Sequence, residues 1–494
     1  MTTPHRRVAL ALLAAFLTGC CVQAQENAAP PPTEAAAAPP LTLEQCIKRA
    51  LARNFSLAIG SYDPQIAQDG IVVAQGAYEP QLSVTGTHGK STSHVTNSSA
   101  TSTDLRVGVS QQLYSGTTVG ASSRLDRSAL NPAVAALNPA YDADLTLSVR
   151  QSLLSGFGND VNRAGVERAE IGLRRAHLDF KAQALDVILA TENAYHNLAF
   201  AREQLAVRNF SLQLANRLFD EAKVRRDTGV ATDLDVLQAE VGVANARRGA
   251  ILAEQEVKDR QDALLALIGQ FELDAPLGHV SFAEFSEATP VFASSYQLAK
   301  ANQPDFQSSQ AAIEQLKLDL KIAKDAARPD LSVGAAVGLS GSNGSGGDAF
   351  GDALDRQNHS WQVDFAFNYP WGQRSDKARY RQSLATLNRE QVRLRQIEQN
   401  IEVQVRSAVR SVETNVESVR IATLASQLSQ KQYELEKARF DAGLSTSRRV
   451  LEAQDDLETN RVNELQAKVS LQAAISALHR LEGSSLQRYA VTLP

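Results

Sequence analysis

Apolar residues repeat along this chain with two different periods, and each period marks a different structure. Between Pro139 and Pro276 no proline interrupts the chain, and Leu198, Leu205, Leu212 and Phe219 recur every seven positions, interleaved with Ala194, Ala201, Ala215 and Ala222. Further on, Val405, Val409, Val412, Val416 and Val419 alternate steps of four and three. Both patterns predict helices paired along coiled-coil seams with small or β-branched knobs. The helical runs, 159–228 and 374–442, would each extend about 105 Å as helix, too long for one compact domain.

Elsewhere the period is two. Leu145, Leu147 and Val149 alternate with polar residues, as do Leu331, Val333, Ala335, Val337 and Leu339, then Trp361, Val363, Phe365, Phe367 and Tyr369; Leu82 and Val84 open a fourth such segment. Strands with one apolar face and one rich in Gly, Ser, Thr, Asn and Gln suit a barrel wall between lipid and water, or a hairpin with one buried face. The polar stretches "GKSTSHVTNSSATST" and "GSNGSGGDAFGD" read as surface loops joining neighbouring strands; the second is expected to lead into no helix.

The two textures occur twice. "KVRRDTGVATDLDVLQA" (Lys223 to Ala239) aligns without gaps on "KARFDAGLSTSRRVLEA" (Lys437 to Ala453), 214 positions later, which superimposes Gly229 on Gly443. Gly443 is the only glycine between Gly372 and Gly483, so it breaks a long helix-compatible run. "YEPQLSV" around Pro80 and "ARPDLSV" around Pro329 recur 249 positions apart, so the first half carries 35 more residues, located between Asp104 and Tyr141. This is an internal duplication. Within the longer half, "VGVSQQLYSG" and "LSVRQSLLSG" end alike, and Thr117 to Asp144 between them is long enough for an additional hairpin, which leaves the strand count open.

Composition narrows the reading. The formal charge is −5, which disfavours nucleic acid as a partner, and only 6% of the residues are aromatic, which fits long helices with thin interfaces rather than a thick core. Arg6 and Arg7 precede an apolar run and "LTGC", Leu17 to Cys20. That order makes 1–20 an export signal with Cys20 as lipidation site, with cleavage after Ala24 as the alternative. Residues 21–40, rich in Pro and Ala, read as a tether. Thr42 with Gln45 reads as a capping box that starts the folded part. The eight histidines form no His-x-x-x-His pair, and no catalytic constellation, cofactor motif or metal site stands out.

The paired "LTLEQCIKRALARN" and "LAKANQPDF" openings, the "PQL" and "PDL" strand starts, "RQSLLSGFG" before the long helix and the two glycine tips together resemble the TolC-like outer-membrane efflux proteins, from Leu41 to about Gly483. The resemblance implies an α+β, mostly α fold, with long coiled-coil helices forming a periplasmic α-barrel and strands of a transmembrane β-barrel shared by a homotrimer. It implies four strands per chain, twelve in all. The divisions are then a first repeat at 41–275 (strands about 82–153, helix 159–228, tip Gly229, helix 230–269), a linker at 276–290, a second repeat at 291–484 (strands about 331–370, helix 374–442, tip Gly443, helix 444–483) and a tail at 485–494.

In function, it implies the passive exit duct of a tripartite efflux or type I secretion system. The partners are outer-membrane lipid, a periplasmic adaptor (membrane fusion) protein and an inner-membrane RND or ABC transporter; a periplasmic coiled-coil scaffold or adaptor without a pore is the alternative. Gly229 and Gly443 become helix-reversal tips that meet the adaptor, with Thr232 and either Ser445 or Thr446 capping the helices that follow. Acids six and nine positions after the second tip glycine would ring the entrance; Arg449 and Glu452 stand there. Asp235 matches a residue that latches the closed state onto an aromatic, but Phe440 at the aromatic position lacks a hydroxyl. The expected latch therefore has Arg448 or Arg449 pairing with Asp235 or Glu452.

Overall fold

The computed structural model describes residues 41–491 except 96, 132–135, 270, 272–276, 281–289, 356 and 357. The export signal, Cys20, the tether and most of the 276–290 linker therefore lie outside the described residues. Three short helices, α1 (Leu43–Arg53), α2 (Phe55–Gly60) and α3 (Tyr62–Gly76), lead into strands β1 (Gln81–Ser93), β2 (Ser98–Gln112), β3 (Thr117–Asn131) and β4 (Ala140–Ser152). One turn, α4 (Asn159–Asn162), precedes the long α5 (Ala164–Asp227) and its return α6 (Asp233–Leu267). The second half runs α7 (Phe292–Asn302), α8 (Pro304–Ala326), β5 (Asp330–Asn343), α9 (Gly346–Leu354), β6 (His359–Asn368), α10 (Arg374–Asp441), α11 (Ser447–Glu482) and α12 (Ser485–Arg488).

The predicted capping box forms: the Thr42 hydroxyl accepts from the Gln45 amide, and the Gln45 side chain accepts from the Thr42 amide. The 64 and 68 residues of α5 and α10 span about 96 and 102 Å. Each half buries a core where its short helices cross its long one. In the first half Ile47, Leu185, Ile188, Leu198, Leu264 and Leu265 pack together; in the second, Phe306, Val405, Val409, Val412, Leu471 and Leu478 do. The valine seam of α10 is buried as its spacing predicts, apart from a half-buried Val416. On α5 the inner positions are Leu198, Ala201, Leu214, Ala215 and Leu218, while Leu205, Leu212 and Phe219 stay half-buried. The difference follows from α5 packing against both α6 and α11, so that it presents two seams rather than one.

All six strands form one antiparallel sheet in sequence order. This corrects the expected four strands per chain, since residues 117–131 form a full strand hydrogen-bonded on both sides. Two loop expectations are also corrected. Most of "GKSTSHVTNSSATST" is strand, in β1 and β2, because its Ser and Thr residues complete the ladder from Lys90↔Thr101 to Ser93↔Ser98. "GSNGSGGDAFGD" contains helix α9, started by the Ser345 hydroxyl accepting from the Asp348 amide. A helix so rich in glycine forms because it packs closely: Ala349 and Ala353 are fully buried, and a Cβ on Gly341 would stand 2.2 Å from the Ala349 carbonyl oxygen.

Register puts Val84, Val107, Ser123, Leu145 and Leu339 in one row and Leu82, Val109, Ala121, Leu147, Val337 and Trp361 in the next, on the same face. This face is apolar and uncovered over most of its area; Trp361 is 76% exposed. The opposite face is polar, with an ion pair between Arg124 and Asp104 across β2 and β3, and another of 2.9 Å between Arg150 and Asp364. A sheet with one bare apolar face and one charged face matches the lipid and water sides of a barrel wall.

Candidate functional site: the helix-reversal tips

At the far end of the helices the chain turns back twice, by the same device. Gly229 (φ 77°) and Gly443 (φ 72°) both adopt the left-handed conformation. The Val230 amide donates to the Arg225 carbonyl at 2.8 Å and the Gly229 amide to Arg226 at 2.9 Å; Leu444 to Arg439 and Gly443 to Phe440 repeat both bonds at the same lengths. These are paired six-to-one and five-to-two bonds, in which a left-handed glycine lets the chain satisfy the last carbonyls of a helix. Sequence therefore located both turns and the reason for their glycines.

The helices that follow start differently. At the first tip Thr232 caps α6 as expected: its hydroxyl accepts from the Asp235 amide at 3.3 Å, and the Asp235 carboxylate accepts from the Thr232 amide at 2.9 Å and its hydroxyl at 2.7 Å. The Thr232 amide, and then its hydroxyl, hold the Asp235 carboxyl below the usual carboxylate range. At the second tip Thr446 occupies the same position, but its side chain makes no capping bond. The position equivalent to Asp235 is Arg449, which has no acceptor with which to close the box. Nor does Ser445 cap α11; its hydroxyl donates to Glu436 on α10 at 2.9 Å. Glu436 is held below its ordinary value by that bond first, then by Arg439 and Arg449.

The expected latch is present only in part within one chain. Arg448 pairs with Glu452 at 2.9 Å along α11. Asp235 is committed to its own cap, and its carboxylate bonds to neither arginine. Phe440 is buried beside Leu214, Leu218, Tyr433, Val450, Ala453 and Leu457, a small core shared by α5, α10 and α11. Arg225 of α5 stacks on its ring, the guanidinium carbon 3.8 Å from the centroid, and donates to the Phe440 carbonyl at 3.2 Å. Sequence reasoning missed Arg225 and Glu436, and offered Ser445 as a cap where the structure has it bonded to Glu436 instead. The signal was present for Arg225, which aligns on Arg439 in the duplicated stretch, whereas its partner across the wall depends on the packing of α5 against α11.

Side by side, the four lower helices run in the order α6, α5, α11, α10, so that α6 and α10 form the edges of a wall beneath the sheet. Such a wall of long helices joined to an antiparallel sheet with one bare apolar face is the fold of one subunit of an outer-membrane channel. The profile of the outer membrane efflux protein family matches residues 138–270 and 295–484, and the chain belongs to that family. Relatives include the pyoverdine export outer membrane protein OpmQ of Pseudomonas putida, 23% identical over 349 residues that cover 68% of this chain and 70% of that protein. OpmQ of Pseudomonas aeruginosa is 24% identical over 403 residues, 76% of this chain and 75% of its own. In fold, the outer-membrane channel OprN superposes with a TM-score of 0.69 at 17% identity over 90% of both chains. CusC does so with 0.69 at 15% identity, over 90% of this chain and 92% of that one. The protein is an outer-membrane efflux channel that extends into the periplasm.

Proposed function

We propose that three copies of this chain close into one continuous duct, and that its two tips per chain, Gly229 and Gly443 with Thr232 and Thr446, gate the periplasmic end and meet a periplasmic adaptor. The observation that carries this reading is the pair of unpartnered edges. On α10, Ile421, Leu424, Leu428 and Leu435 follow steps of three, four and seven and are all exposed; on α6, Leu234, Leu237 and Val241 follow steps of three and four and are exposed too. Above them, β1 and β6 are the open edges of the sheet. Unpaired strand edges are untenable in lipid, and two exposed heptad stripes on opposite edges of one wall fit each other in the next copy. A head-to-tail contact of this kind closes as a ring where the rotation from copy to copy is a whole fraction of a turn, a third for three copies.

Energy for export would come from an inner-membrane transporter of the RND or ABC type. Small exported compounds are the cargo favoured by the relatives, whose names give pyoverdine export. At the entrance, Arg448, Arg449 and Glu452 line the second tip, Asp235 fixes the first, and Phe440 joins the two through Arg225. A heat-resistant trimer in the outer-membrane fraction that dissociates in Leu428→Lys supports the duct; a monomer there would sink it. Unchanged single-channel conductance in both Asp235→Ala and Arg449→Ala would remove these residues from the gate.

A further inference from the structure

Helix α9 lies on the apolar face of the sheet, over β5 and β4 at the end farthest from the long helices. Its seat is Gly341, and a Cβ on its Gly346 would stand 3.4 Å from Leu125 and 3.5 Å from Tyr141, residues of that same face. With Ala349 and Ala353 turned to the sheet, helical spacing puts Asp348 and Asp352 on one flank and Phe350 and Leu354 on the other. The orientation of the flanks is fixed. Asp352 accepts from the Asn343 side chain at 3.0 Å, and Asn343 is the outermost residue of β5, so the acidic flank points away from the membrane. The Phe350 and Leu354 flank consequently points back along the strands toward Leu339 and Leu145, and Leu354 is 62% exposed.

Band height gives this flank a purpose. The alternating apolar residues of β5 end at Leu339, and from Leu331 they cover about 26 Å along the strand. Tilted by about 40°, that is about 20 Å of height, short of the ~25 Å apolar band of outer-membrane barrels. We propose that α9 is a membrane-interface anchor whose Phe350 and Leu354 flank lies among the outer-leaflet acyl chains, completing the band and fixing how deep the barrel sits. The occupant is lipid because the flank continues the lipid-facing surface without a break and is directed along the strands, not toward the β6 edge where another copy would join. Asp348, Asp352 and Asp355 then face the aqueous side.

The test uses the full chain with Trp361→Phe and Trp371→Phe, reconstituted in phosphatidylcholine vesicles with or without brominated acyl chains. One reporter is Leu354→Trp and the other is Asp355→Trp. The expected result is that brominated lipid removes most of the emission at 354 while aqueous iodide leaves it, and that the reverse holds at 355. Emission at 354 as open to iodide as at 355, or indifferent to brominated lipid, overturns the proposal. Adding Gly341→Val, whose Cβ meets the Ala349 carbonyl and the Ala353 amide nitrogen at 2.2 and 2.5 Å, should unseat the helix and turn the 354 signal iodide-sensitive. Lipid quenching that survives this change means that the seated helix does not set the depth.

Discussion

Arg225 and Phe440 hold the two helix hairpins of one chain together: a guanidinium 3.8 Å from a ring centroid, with a hydrogen bond of 3.2 Å to the same residue's carbonyl. The phenylalanine cannot offer a hydroxyl, so the contact that ties tip to tip here is a stacked cation. In Phe440→Leu the apolar packing is largely kept and the stacking is lost, at about 0.5–2 kcal/mol. Conductance is expected to rise in Phe440→Leu and in Arg225→Gln. The double variant should rise little beyond either single one, and simple additivity in planar bilayers would show that the two residues do not act together.

The second tip starts its helix without a side-chain cap, and Arg449 stands where the first tip has Asp235. A cation in the first turn also opposes the helix dipole. Arg449→Glu should therefore build the missing box with Thr446 and stabilise the start of α11 by about 0.5–2 kcal/mol. Slower amide exchange at Arg448 to Val450 is the measurement, and unchanged exchange would show that the Ser445 bond to Glu436 already holds the turn.

Gly443 has a φ of 72° and open space where a Cβ would go, so substitution there meets only backbone strain. Gly443→Ala should cost about 1–2 kcal/mol, and Gly443→Asn less. Local exchange near Ala442 and Leu444 would report it, with the melting of the remainder of the channel unaltered.

His196 is buried in the first-half core, and burial lowers its pKa to about 4 from the ordinary 6.5. The folded state then binds fewer protons than the unfolded one between those values. Stability is full above about pH 6.5 and falls as pH drops toward 4, by up to about 3 kcal/mol per chain. His196→Gln should flatten that part of the stability profile, measured by denaturant unfolding at pH 7 and pH 5.

The helical half of the fold was open to reading because coiled-coil knobs repeat and helix interiors exclude glycine, which made Gly229 and Gly443 conspicuous. Strand β3 was harder, since Ala121 and Ser123 dilute the alternation of Val119 and Leu125 with small residues and Arg127 puts a charge on the same face. What specifies β3 is its pairing with β2 and β4, a long-range property. Helix α9 was illegible for a related reason: glycine disfavours helix locally, and only the close seat on Gly341 offsets that cost. At the tips, spacing located Thr232 and Asp235, but their mutual bonding could not be separated from a latch across subunits until the cap geometry was known.

Six strands per chain change how the duct filters. In the proposed trimer the barrel would have eighteen strands instead of twelve, and because barrel diameter grows nearly in proportion to strand number, its cross-section would be about twice as large. An opening of that size offers little resistance to a small solute. Discrimination between cargo and leakage would then fall on the periplasmic tips alone, leaving the barrel as a wide vestibule to the outside.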